Sequence, residues 1–279
     1  MVRKLVVSFF ITVFFAGLSL MLFLLISNRM SASDHVEAVS GFFEAVEDMG
    51  EPGQADMLQE AREFNQRLSQ KPNRFMMNDD EMAEYKSLLD PTGLGIIGTL
   101  DIGIISIHLP IFHGTDEGVL QAGLGHLEGS SLPVGGVGSH AVITGHRGLP
   151  TSTLLSKLDS MAVGDTFTIH IPGDTLIYKV DQMLIVEPHE TAALAIDSGE
   201  DYVTLVTCTP YGINTHRLLV RGYRVTGDEE ILSKPAVIPA GALVLPGAIS
   251  ALLVIIPMAL IIVAVLFVRL RRIYARGES

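Results

Sequence analysis

Two long apolar runs bracket this chain and confine its globular structure to the segment between them. The first, Leu5 to Ile26, carries no charge and follows Met1-Val2-Arg3-Lys4. At about 1.5 Å per residue, such a helix is long enough to cross a hydrocarbon core of roughly 30 Å. A cleaved signal peptide is the competing reading, because Ser31-Ala32-Ser33 offers small residues for cleavage. The run nevertheless exceeds the usual signal-peptide core of about 7 to 15 apolar residues. The second run, Ile249 to Val268, contains Pro257, which membrane helices tolerate. Arg3 and Lys4 precede the first run, and Arg269, Arg271, Arg272 and Arg276 follow the second. The bias of cations toward cytoplasmic flanks then puts both termini inside the cell and the middle outside.

This division gives an N-terminal anchor or signal-anchor (1–29), a helical segment (30–92), a β-rich domain (93–235), a linker (236–248), a second span (249–268) and a basic cytoplasmic tail (269–279). The 279 residues suit one principal core with appendages. Between residues 30 and 235 lie 12 basic and 30 acidic residues, a net charge of −18. A domain so acidic repels nucleic acid and anionic polymers and favours a basic partner.

Beyond the first run the chain is polar and helical in pattern. Asp34 with Glu37 resembles an N-terminal capping pair, and Val36, Val39, Phe43 and Val46 recur on one face. After a break at Gly50 to Gly53, Met57, Ala61, Phe64 and Leu68 form a second stripe. Asn78 with Glu81 caps a short third helix ending at Leu88-Leu89, and Pro91 stops it. From Gly93 onward, short β-branched runs are punctuated by glycine and proline, the texture of an all-β sandwich or barrel. Strands are expected at Ile102 to Ile107, His140 to Thr144, Thr166 to Ile171, Leu176 to Val186, Tyr202 to Thr207 and Arg217 to Val225. Pro172-Gly173-Asp174-Thr175 reads as a turn, and Thr153 to Leu158 and Glu190 to Ile196 as helical turns.

The single cysteine, Cys208, cannot form an internal disulfide, and an outward-facing domain gives it no reducing cytosol to explain its survival. It is either a small buried hydrophobe or a reactive thiol. Thr204-Leu205-Val206-Thr207-Cys208 is followed by Thr209-Pro210-Tyr211-Gly212, so the thiol ends a strand beside a turn, where a nucleophile can be reached. A thiol becomes an acyl acceptor when a base and oxyanion donors are near it. Nine histidines are present. His146 sits in the glycine-flanked loop Thr144-Gly145-His146-Arg147-Gly148, which allows close backbone approach. His216 adjoins Arg217, and neighbouring strand residues point to opposite faces, so only one of that pair can face the thiol. Spacing alone leaves the histidine open. The nine-residue separation of Cys208 and Arg217 suits a hairpin that sets the arginine opposite the thiol, where its donor fork could serve an oxyanion.

The run from Thr204 through Arg217 to Gly222 resembles the signature of sortases, particularly the class C, pilin-polymerising group. So do Leu109-Pro110-Ile111-Phe112-His113-Gly114, the stretch Gly125 to Gly136 and Ile143-Thr144-Gly145-His146-Arg147-Gly148-Leu149-Pro150. The blocks keep their family order over Gly93 to Thr226. The resemblance implies a mainly β fold, an eight-stranded sortase β-barrel at 93–235 with N-terminal helices and two flanking membrane helices. It implies Cys208 as nucleophile, His146 as general acid and base, and Arg217 as stabiliser of the oxyanion or substrate. His216 and Thr207 become supporting residues, and His113, His126 and His140 structural ones. It also implies an N-terminal lid of the form Asp-Pro-aromatic. Here the lid reads Asp90-Pro91-Thr92, so Asp90 is available to pair with Arg217 while Thr92 lacks the ring that would cover the thiol.

The implied substrate is a surface protein with a Leu-Pro-x-Thr-Gly-like sorting signal, and the acceptor is a lysine amine of a second pilin. A housekeeping sortase that attaches proteins to a cell-wall amine, and a non-catalytic adaptor that binds pilins, are the alternatives. Neither cofactor nor metal is expected, and Asp79-Asp80-Glu81 reads as a solvated helix start.

Overall fold

The computed structural model describes residues 2–148 and 154–226. Expectations for the linker 236–248, the second span, the basic tail and Thr153 lie outside the described residues.

Helix α1 (Val2–Ser69) is interrupted at Gly50, whose φ of 72° is open to glycine, with Pro52 just beyond. The break expected at Gly50 to Gly53 is therefore present. The cap expected at Asp34 is not, because the apolar segment before it is itself helical and leaves no terminus to cap. Among the described residues no helix is long and apolar enough to cross a membrane. After the break, Leu58, Ala61, Phe64 and Leu68 bury one stripe against the core.

Helix α2 (Asp79–Ser87) begins with the capping box read from the sequence. The Asn78 side chain accepts from Glu81 N, and the Glu81 carboxylate accepts from Asn78 N.

The remainder is a closed antiparallel and parallel barrel of eight strands: β1 (Ile96–Ile102), β2 (Ile107–His113), β3 (Leu124–His126), β4 (Ser139–Thr144), β5 (Thr166–Ile171), β6 (Asp174–Val186), β7 (Asp201–Thr209) and β8 (His216–Arg224). They run around the barrel in the order β1-β2-β3-β4-β7-β8-β6-β5, and β5 closes back on β1. Helix α3 (Glu117–Ala122) connects β2 to β3. Leu100, Ile111, Leu124, Ile143, Phe167, Ile169, Leu205 and Val220 are among the buried residues of the main core.

Five of the expected strands coincide with observed ones within a few residues. Ile102 to Ile107 does not: β1 ends and β2 begins there, Ile102 pairs with Ile107, and a 3-10 turn at Gly103–Ile105 reverses the chain. Four isoleucines in six residues mimic a strand, but Gly103 and the left-handed Ser106 fold them into a hairpin tip with Ile104 exposed. The β5–β6 hairpin turns at Pro172-Gly173, as expected, with Gly173 at φ 74°.

Tyr85 locks α2 to the barrel. Its hydroxyl lies 2.9 Å from His126 Nδ1 and accepts from Gly114 N at 3.0 Å, while His126 Nε2 lies 2.8 Å from Ser131 O. This network assigns the neutral tautomer with hydrogen on Nε2, in keeping with burial that pushes His126 down to about 3. Tyr85→Phe would leave the buried ring nitrogen and the Gly114 amide unpartnered. The expected loss of stability is about 1 to 3 kcal/mol, measured by urea denaturation against the wild type.

Candidate active site

The site is built by two strand pairings that meet on β7. Strands β4 and β7 run parallel with a constant offset, from Ser139 opposite Asp201 to Thr144 opposite Val206. Gly145 N continues the ladder to Val206 O at 3.1 Å, and Thr207 Oγ1 donates to Gly145 O at 2.8 Å. Carried two residues further, the offset sets His146 level with Cys208. On the other side β7 and β8 are antiparallel, and Cys208 pairs directly with Arg217. Such partners stand about 4.5 to 5.5 Å apart at Cα.

Alternation decides which face these side chains share. Val142, Val206 and Leu219 belong to a second apolar cluster on the outer surface of the barrel, together with Leu184, Val186 and Leu194. Cys208 lies two residues beyond Val206 and Arg217 two before Leu219, so both stand on that outer face. His146 has the parity of Val142. His216 has the parity of the buried Leu218 and Val220, pairs with Thr209, and is exposed. By register, His216 does not share the face of Cys208 and Arg217.

Cys208 is a free, partly buried thiol, and His146 is about a quarter exposed. Arg217 Nη1 donates to Asn214 O at 3.3 Å and to His216 O at 3.1 Å, which turns the guanidinium toward the β7–β8 loop. His113, His126 and His140 are all buried. Burial lowers the basicity of each, His113 to about 4. Sequestered and held neutral, they suit the structural part given to them.

The lid residues are arranged differently from the expectation. Asp90 Oδ1 accepts from Thr92 N at 3.2 Å and from Thr92 Oγ1 at 2.9 Å, and Oδ2 accepts from Gly95 N at 2.8 Å. Both carboxylate oxygens are used within their own turn at the head of β1, and no ion pair joins Asp90 to Arg217. The short side chain is suited to such an Asx turn, and Thr92 supplies a hydroxyl to it where a ring would not.

Contacts made by three residues at the site were not foreseen. Arg147, only 8% exposed, forms an ion pair with Asp159 and donates to Thr209 Oγ1 at 3.3 Å, tying the histidine loop to the residue after the thiol. Gly148, at φ 82°, lies so close to Tyr211 that a Cβ would meet its ring at 3.1 Å. Glu117 of α3 approaches His146 Nε2. The Gly-His-Arg-Gly run hinted at the first, but pairings across 12 to 62 residues leave no periodic trace. A recess of about 610 Å³, lined in part by Arg62, Asp201 and Arg224, lies at the opposite ends of β4 and β7 and contains none of these residues.

A family model described as a sortase domain matches residues 100–225. Sortase C1 from Streptococcus agalactiae is 45% identical at a TM-score of 0.66, the match covering 69% of this chain and 100% of that one. Sortase C of Streptococcus pneumoniae is 44% identical at a TM-score of 0.62, with 68% and 97% covered. Sortase D of Bacillus subtilis is 27% identical over 152 residues, 53% of this chain and 74% of that protein. This chain therefore belongs to the sortase family of cysteine transpeptidases.

Thr207→Val tests the coupling of the two loops. It would leave the Gly145 carbonyl without its buried donor and release the histidine loop from β7. Stability should fall by about 1 to 2 kcal/mol, and turnover should fall severalfold with the melting transition still cooperative. Paired denaturation and peptide-transfer assays check both.

Proposed function

We propose that this chain is a class C sortase that polymerises pilins, with Cys208 as nucleophile. The observation that carries the catalytic part is the direct pairing of Cys208 with Arg217 across β7 and β8, with His146 two residues past the end of β4 on the neighbouring strand. The class rests on similarity to sortases C, among them that of Streptococcus pneumoniae, whose structure has been related to pilin substrate specificity.

In this reading a Leu-Pro-x-Thr-Gly-like signal lies over the outer apolar cluster. The Cys208 thiolate attacks the threonine carbonyl, forming the S–C bond, and the donor fork of Arg217 swings from the loop carbonyls to the developing oxyanion. Collapse breaks the Thr–Gly bond as His146 protonates the departing glycine amine. A pilin lysine amine then attacks the thioacyl carbon, gives its proton to His146 and displaces the thiolate. The net exchange is one amide for one isopeptide bond, with the enzyme regenerated. A housekeeping sortase would differ only in the acceptor amine.

Membrane anchoring is part of the same proposal. Phe9, Phe10, Ile11, Val13, Phe15, Leu20 and Phe23 are exposed around the whole circumference of α1. A helix apolar on every side requires an apolar surrounding. Two spans would hold the barrel beside substrates in the same membrane and raise their effective concentration.

Cys208→Ala should abolish transfer while the domain stays folded, read as loss of the isopeptide product by mass spectrometry. A non-catalytic adaptor would retain its activity. Arg217→Lys keeps the charge but loses the planar fork, and acyl transfer should fall by about 100-fold; near-normal turnover would make Arg217 structural.

Labelling of tags on intact cells should reach residues between about 30 and 245 and neither terminus. An externally accessible C-terminus would contradict the topology.

A further inference from the structure

A carboxylate stands behind the imidazole of His146. Glu117, the first residue of α3, places Oε1 3.5 Å from His146 Nε2. The same oxygen accepts a hydrogen bond from Gln121 Nε2 at 2.9 Å, one helical turn further along. Asp116 caps the helix by accepting from Val119 N at 3.1 Å, so the backbone that carries Glu117 is itself fixed. His146 Nε2 is buried and has no hydrogen-bond partner among the described residues, with the Glu117 carboxylate facing it.

We propose that Glu117 is a positioning residue for acyl transfer. Its carboxylate receives the Nε2–H of His146, fixes the ring plane and leaves Nδ1 as the nitrogen that exchanges protons with the leaving and attacking amines. The proposal rests on the reading of His146 as the acid and base.

A neutral imidazole carries hydrogen on one nitrogen only, so pinning Nε2–H determines which nitrogen has the free lone pair. When Nδ1 takes a proton from the amine, the ring becomes a cation, and the facing carboxylate favours that form. The neighbouring charges do not substitute for it. Arg147 is engaged with Asp159 and Thr209, and Arg217, across β7, is a cation turned onto loop carbonyls. Cys208 is the ionisable group on β7 directly paired with Arg217. At 3.5 Å the contact is looser than a hydrogen bond, and catalytic contacts of this kind commonly tighten when substrate excludes water.

An acidic residue in the first turn also complements the helix dipole, so a purely structural part for Glu117 must be distinguished. Glu117 is 67% exposed, and solvent screening limits its effect. The expected loss is therefore about tenfold in kcat, far from the roughly 10⁴-fold seen for a buried triad carboxylate.

The test uses the full-length chain in detergent, a sorting-signal peptide and an amine acceptor, and compares Glu117→Leu, Glu117→Gln and Asp116→Ala. Glu117→Leu should lower kcat about tenfold with KM within about twofold. Glu117→Gln keeps an acceptor oxygen without the charge. It should recover most of kcat, with the alkaline limb of the pH–rate profile moved to lower pH, as expected when an anion beside a protonated ring is removed. Asp116→Ala loosens the same helix and should leave that limb in place. A kcat for Glu117→Leu within twofold of wild type would overturn the proposal, as would a Glu117→Gln profile indistinguishable from wild type. If Glu117→Leu fails to fold, the Glu117→Gln profile alone decides. Cys208→Ala, assayed in the same preparation, separates the two levels: turnover there would reject the catalytic reading itself, whatever Glu117 does.

Discussion

The parallel ladder between β4 and β7 is the constraint on which the site depends. Its offset does not change from Ser139 to Thr144, and a strand register cannot slip by one residue without turning every side chain to the other face. With Leu205 and Ile143 buried in the core and Val142 and Val206 packed outside, a slip would expose apolar groups on both surfaces at once. The energy of two apolar layers thereby holds the end of β4, and the His146 loop that follows it, against β7. The Thr207 hydroxyl and the Arg147 guanidinium extend the coupling past the end of regular pairing, one through Gly145 and the other through Thr209.

A site on the outer face of a barrel has a consequence for chemistry. The interior is filled with side chains, so in the proposed reading the substrate lies along the surface, where water competes for every polar contact. Partial burial of the thiol and of His146, over a floor of Val142, Val206 and Leu219, offers an apolar strip for an extended peptide. The acidic character of the domain then acts at longer range, favouring approach of a basic acceptor surface over an anionic one.

Much of this was legible in the chain. Glycine and proline punctuation located β5, β6 and their turn, and the end of β7 at Thr209-Pro210 exposed Cys208 as a terminal residue. The Cys208 to Arg217 spacing anticipated their direct pairing. Spacing could not relate the His146 loop to Cys208, because that depends on β4 lying next to β7, and the paired residues are 62 apart in sequence. β2 was hidden by Pro110, and β3 is only three residues long. Asp90 went elsewhere because a short carboxylate satisfies nearby amides more cheaply than a distant guanidinium. Glu117 was invisible for a related reason: nothing in the pattern of a six-residue helix tells which distant loop its first residue will meet.

The central claim is that Cys208 carries the acyl group. Its most direct measurement is intact and peptide-level mass spectrometry of the protein quenched in acid during turnover of a sorting-signal peptide with the acceptor amine withheld. The account predicts a single adduct with the mass of the peptide's acyl portion through threonine, located on Cys208 and removed by hydroxylamine. An adduct located on any other residue, or continued cleavage with Cys208 quantitatively blocked, would contradict it.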